Sequence, residues 1–394
     1  MKEYIASHLV ALVPQWYTAK FGSSPNLITI GGLQQKFYSS RPLTPALHKL
    51  LNSINAGIDS LTETPLAARP TFVRLLQEHF AIAWLKLMAP GVAWVSTVNY
   101  LNKVAARTNE NNQVSMNLVI SVGGGSELFV KDDWQKLMDQ LATSPFSYIR
   151  VNHQLQYLDY KEIKWSEITD PTGNRFYPSF LHPIHCILKE NEYSAHVTGN
   201  GDIVIMNASG LIASKRKGTW KLYDMATFKN CISDYVKDYW TGAHLFELCF
   251  DLSFRRHGAL LVYDPGHKVL ENVTNPDSLM TTTNRDSGQR LVAPTIQNAN
   301  LASEGSSLDK RRLLAEIASV DGAVILDKSG ILAFGANIKG HPNVDSGIGA
   351  RTAAARSAFE YGGVPLKVSS DGEVTVYFHS ADGENTCPAK VEFL

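Results

Sequence analysis

From Leu245 to Phe378 the chain alternates between two hydrophobic periods, and no other feature restricts its fold as much. Leu245, Leu248, Cys249 and Leu252 recur at helical spacing, and Gly258 separates them from the apolar run Ala259 to Tyr263. Leu313, Leu314, Ile317 and Ala318 repeat the helical stripe. The stretch VDGAVILDKSGILAFG then reads as strand, turn, strand, with Asp327 to Gly330 as the turn. GIGARTAAARSAFEYG predicts a helix opened by glycines and closed by Gly362 and Gly363. PLKVSS and EVTVYF flank Asp371-Gly372, a dipeptide suited to a tight hairpin. Strands and helices in this succession specify an α/β class, a mixed β-sheet flanked by helices.

The first half reads differently. Residues 1 to about 110 look mainly helical, with Phe72, Leu75, Leu76, Phe80, Ala83 and Leu87 on one helical stripe. MKEYIASHLVALVPQWY has no small-residue cleavage site and stops at Pro14, so it reads as a docking helix. VSMNLVISV is a strand signal and DDWQKLMDQL a helix with acids in its first turn, which gives an α+β N-terminal region. Gly123 to Ser126 lack P-loop spacing and read as a plain turn. In HPIHC, Pro183 argues for a loop with incidental histidines. Residues 195–224 read as a β-meander whose Lys215, Arg216 and Lys217 form a solvated turn. The expected division is an N-terminal region of 1–185 and a domain of 186–394 that holds the meander and a core of 235–380.

At 394 residues, with 44% hydrophobic and 19% charged, the chain is long enough for two cores. Thirty-seven basic residues balance 37 acidic ones, so net charge favours neither nucleic acid nor a membrane surface. The four cysteines are far apart with no CxxC, against both a zinc ribbon and a disulfide framework, and fit a cytoplasmic protein. FAIAWLKLMAPGVAWV is broken by Lys86 and by Pro90-Gly91, short of the roughly 20 apolar residues of a membrane span. Trp16, Trp84, Trp94 and Trp134 are expected in cores.

Four pieces, LSFRRHGALLV, DGAVILDKSGILAFGANI, GARTAAARSAFEYGG and VSSDGEVTVY, come in an order that resembles the diadenylate cyclase (DAC) domain, the DisA N-terminal-like fold. The resemblance implies an ATP pocket in which Asp321 binds a divalent metal and activates a 3'-hydroxyl. A hard cation wants oxygen ligands, and the hydroxyl must lose a proton. It further implies that Gly322 and Ala323 are small so that ribose and phosphate can approach, and that Gly258, Ala259 and Leu260 support the base together with the ILAFGAN hairpin. Gly347, Gly349 and Arg351 then meet the phosphates, and Thr352 and Ser369 belong to the same nucleotide pocket.

The chain departs from the cyclase pattern at Gly349-Ala350-Arg351-Thr352-Ala353, where cyclases carry Gly-Thr-Arg-His-Arg. One cation remains of two, and Arg356 lies too far along the helix to replace the other. That thinning resembles the sensor-type (DACNV-like) branch of the family. A binder does not need the charge stabilisation that develops only in a transition state. The expectation is a sensor for an adenine nucleotide or cyclic dinucleotide, with the N-terminal region free to dock a protein effector. A third reading is a purely structural protein that keeps the fold without the pocket, and the second is an active, divergent cyclase making cyclic di-AMP from two ATP. It would need magnesium or manganese, catalysis by Asp321, and the meeting of two copies in a homo-oligomer.

Overall fold

The computed structural model describes residues 26–30, 33–37, 45, 49, 52, 70–109, 112–122, 141–169, 176–223, 232–233, 235–280, 308–345, 347, 349–379 and 388–393. The docking helix read at 1–17, the Gly123–Ser126 turn, the helix read at 132–141 except Leu141, Trp16, Trp134, Cys231 and Cys387 lie outside the described residues. The fold is α/β, with the chain dividing near residue 225 into two compact units.

The first unit contains a hairpin of β1 (Asn26–Ile30) and β2 (Leu33–Phe37) where the sequence predicts helix. The alternation in NLITI and the Gly31-Gly32 pair that follows it are hairpin signals that the longer helical stripe downstream outweighs. Helices α1 (Pro70–Met88) and α2 (Trp94–Ala105) follow, then a short ladder of β3 (Thr108–Asn109) and β4 (Asn112–Gln113). A seven-stranded sheet completes the unit. Its strands are β5 (Met116–Ser121), β6 (Ser147–Asn152), β7 (Tyr157–Glu162), β8 (Glu192–Val197), β9 (Ile203–Asn207), β10 (Gly210–Arg216) and β11 (Thr219–Leu222). They are ordered β11-β10-β9-β8-β5-β6-β7, with only β5 and β6 parallel.

The meander β8 to β11 is therefore part of the first unit, and the division near 185 is corrected to one near 225. The physical reason is β5: it is buried along its whole length, and β8 pairs with it over six residues. Leu118 and Ile120 face the helices together with the fully buried Trp84, Trp94 and Trp220, while Val119 faces the other way onto Ile184 and Leu188. HPIHC is a helix, α3 (His182–Ile187), because Pro183 sits in its first turn, where no N–H is required. The charged turn is largely strand: Lys215 reaches Glu78 at 2.7 Å, and Arg216 is buried 3.8 Å from Asp202. Burial pushes Glu78 up, but hydrogen bonds from Lys215, Asn102 and Trp220 outweigh it and hold the carboxyl below its usual range.

One buried cluster fixes a proton. The Asn117 amide nitrogen donates to the carbonyls of Ala142, Ser144 and Ser147, so its oxygen faces His196 Nδ1 at 2.8 Å. Nδ1 must then carry the hydrogen, and Nε2 accepts from the Ser194 hydroxyl at 2.9 Å. Burial holds this imidazole neutral, its pKa lowered to about 3.

The second unit is built on α4 (Tyr239–Phe254), β12 (Ala259–Tyr263), α5 (Leu308–Ala318), β13 (Ala323–Asp327), β14 (Gly330–Ala336), α6 (Ala350–Glu360), β15 (Val364–Val368), β16 (Val374–His379) and β17 (Pro388–Phe393). The sheet order is β14-β13-β12-β15-β16-β17, and only β12 and β13 run parallel. Asp238 caps α4 by accepting from Thr241 N at 2.8 Å. A fork of two hydrogen bonds, Arg311 Nε and Nη2 to the Asp251 carboxylate at 3.0 and 2.9 Å, ties α5 to α4 in a buried setting. Ala355, Ala358 and Phe359 of α6 pack on Leu260, Val262 and Ile325. Among the described residues no helix is long and apolar enough to cross a membrane.

Candidate anion-binding site

One row of residues crosses the second sheet. Ala336 pairs with Ala323, Ala323 with Leu260, and Leu260 with Lys367. Residues paired across a ladder share a face. This row opens toward the first turn of α6, and between them lies a cavity of about 620 Å³. Leu260, Ala323 and Ala336 form its apolar floor, continued by Asn337 and Ile338 past the end of β14. Two small alanines in the row leave the room that larger side chains would fill.

The opposite wall is the start of α6. Gly349 is its N-cap, no side chain caps it, and intrahelical bonding begins with Thr352 and Ala353 donating to the Gly349 carbonyl. Gly349, Ala350 and Arg351 all line the cavity, so the helix end with its partial positive charge opens on it. Arg351 lies over Gly258, where any Cβ would overlap its guanidinium. Lys367 enters from the sheet side, with Nζ donating to the Thr352 hydroxyl at 3.3 Å. Ser369, two residues on and so on the same face, also lines the cavity.

Asp321 stands at the exposed rim, its carboxylate accepting from the Gly322 amide at 3.1 Å. Among the described lining residues it is the one acid beside two cations, Arg351 and Lys367. No group of three or more His, Cys, Asp or Glu among the described residues is placed to hold a metal ion. One carboxylate is a thin basis for a divalent site, which wants several oxygen ligands.

Of the residues predicted from sequence, Leu260, Asp321, Gly322, Ala323, Gly349, Arg351, Thr352 and Ser369 come together here. Three do not line the cavity. Ala259 is buried and alternates to the opposite face from Leu260. Gly258 lies beneath Arg351 and acts through it. The Gly347 amide is taken by Asp345 Oδ1 at 2.8 Å. The smallness of Gly322 also has another cause: with φ at +109°, its Cα faces the backbone of Gly335, and a Cβ would stand 2.5 Å from that carbonyl carbon. Ile338, Ala350, Ala354 and Lys367 also line the cavity without having been expected from the sequence, and of these Lys367 carries a charge. Its signal was the alternation of Leu366 and Val368 with Lys367 and Ser369, which puts the latter pair on one face. The cations therefore number two, not one.

No family model matches the chain. No curated protein matches it either. Among solved structures it is similar to a double mutant of DacA from Staphylococcus aureus at a TM-score of 0.24 and 17% identity, over 41% of this chain and 89% of that one. It is also similar to a hypothetical membrane-spanning protein from Bacillus cereus at a TM-score of 0.26 and 17% identity, over 42% of this chain and 74% of that one. Likeness at that level carries no argument. The resemblance to the diadenylate cyclase domain and its sensor-type branch is corrected accordingly: four short motifs in order did not amount to membership, and the roles implied for Asp321 lose that support.

Proposed function

We propose that the second unit binds a nucleotide by its phosphate and that the protein is a nucleotide-binding sensor. The observation that carries this reading is the convergence of Arg351, Lys367 and the uncapped start of α6 on one cavity with an apolar floor. Two cations and free helix amides suit an anion. Leu260, Ala336 and Ile338 suit a flat apolar group such as a base, and Asn337 offers it a donor and an acceptor. An adenine nucleotide or a cyclic dinucleotide has both parts. Among the described lining residues Asp321 is the one carboxylate, at the rim and beside no second acid or His, which favours binding over turnover.

The test is to incubate the purified protein with adenosine 5'-monophosphate, ATP and cyclic diadenylate, desalt it, and identify the retained compound by mass spectrometry. Retention by the wild type and its loss in Arg351→Ala/Lys367→Ala supports the reading. Retention of nothing, or equal retention by the double variant, overturns it.

A further inference from the structure

Asn337 and Ile338, which continue the cavity lining, directly follow β14, the outermost strand of its sheet, where an edge of unpaired peptide groups would leave them loose. The segment from Asn272 to Met280 covers that edge. Met280 N donates to the Leu332 carbonyl at 2.8 Å, Thr274 N to the Asn337 carbonyl at 2.8 Å, and Lys339 N to the Asn272 carbonyl at 2.9 Å. Between the first of these and the other two, the path of β14 is irregular. Gly335 takes φ +64°, close to the Asp321 carbonyl, and the ladder with β13 shifts register. A regular strand could not follow that bend.

At this point a side chain replaces the backbone. Asn275 Nδ2 donates to the Gly335 carbonyl at 2.9 Å, and Asn275 Oδ1 accepts from Asn337 N at 2.7 Å. A carboxamide is planar with one donor side and one acceptor side, as a peptide is. A carboxylate lacks the donor, and a hydroxyl cannot span both groups. The Asn275 backbone is itself held, its carbonyl accepting from Ser278 N at 3.1 Å and from the Ser278 hydroxyl at 2.8 Å across a short turn begun by Pro276.

We infer that Asn275, which does not line the cavity, is a positioning residue for the ligand site, fixing Asn337 and Ile338 through a side-chain imitation of a peptide bond. The inference rests on the proposed nucleotide reading for its functional half only. The experiment pairs the dissociation constant for adenosine 5'-monophosphate with hydrogen–deuterium exchange, in the wild type, Asn275→Ala and the near-isosteric Asn275→Asp. Both variants are expected to weaken binding about tenfold. Exchange should quicken in the peptide spanning 330–340, while peptides from β12 and β15 stay as protected as in the wild type.

Unchanged affinity in the variants, or unchanged exchange at 330–340, overturns the inference. So does exchange that quickens across the whole sheet, since that marks a merely structural loss. If the wild type binds no nucleotide, the proposed function and the ligand half of the inference fall together, and exchange at 330–340 alone decides whether Asn275 holds the wall.

Discussion

At the scale of single residues, two cations delivered by different means line the proposed site. Lys367 comes from the sheet, and its tether to Thr352 keeps the ammonium at the mouth of α6. Lys367→Ala removes a charge-assisted hydrogen bond worth roughly 1.5–3 kcal/mol, so phosphate-dependent affinity should fall by about 10- to 100-fold in equilibrium dialysis with thermal stability kept. Unaltered affinity would remove Lys367 from the site. Arg351 is placed by a glycine it covers. Gly258 has no positive φ, so alanine is not strained in its own backbone, but the new methyl displaces the guanidinium and presses at 3.3 Å on the Ser370 amide. Gly258→Ala should weaken nucleotide binding about tenfold in the same assay, and Arg351→Ala should make the glycine change neutral. Additive losses would contradict that coupling. The glycine-opened helix that starts at Gly349 and the hairpin after Val368 were legible in the sequence, whereas Arg351, Gly349 and Ser369 were named as site residues only through the family resemblance. Lys367 and Asn275 were legible by neither route. Strand register decides the first, and the second lies in a stretch with no hydrophobic period at all.

At the scale of elements, a buried ion pair and a buried imidazole make opposite demands. The Asp251–Arg311 fork joins α4 to α5, with both side chains almost wholly inside. Asp251→Ala removes the carboxylate to which two nitrogens of a buried guanidinium donate and should cost about 3–5 kcal/mol in urea unfolding, whereas Asp251→Leu/Arg311→Met should recover most of that stability. A loss below about 1 kcal/mol for the single variant would count against the pair as the joint.

His196 works through protons. Its folded pKa of about 3 lies below the unfolded value near 6.5, so the unfolded chain binds the proton first as pH falls. Stability from this group is complete above pH 6.5 and declines between 6.5 and 3, at roughly 1 kcal/mol per pH unit. Urea midpoints of the first unit, followed by the fluorescence of Trp84, Trp94 and Trp220 at pH 7, 6 and 5, should fall along that slope, and the slope should flatten in His196→Gln. A midpoint that does not move from pH 7 to pH 5 would refute the assigned tautomer cluster. The elements after Leu245 were readable because helical and strand periods alternate there. The hairpin at 26–37 and α3 were misread, since Gly31-Gly32 and Pro183 have meanings that depend on position within an element.

At the scale of the whole molecule, the α/β class was legible and the boundary was not. A meander reads as a self-contained ladder, yet β8 completes the pairing of β5, a strand whose burial demands neighbours on both sides. Which sheet a strand joins is set by such long-range pairing, and local pattern does not contain it. In the proposed function one cavity of the second unit recognises a phosphate attached to an apolar group. Calorimetric titration with adenosine and with adenosine 5'-monophosphate tests this directly. The monophosphate should bind the wild type at least tenfold more tightly than the nucleoside, and the gap should close in Arg351→Ala/Lys367→Ala. Equal affinities, or no heat from either compound, would contradict it.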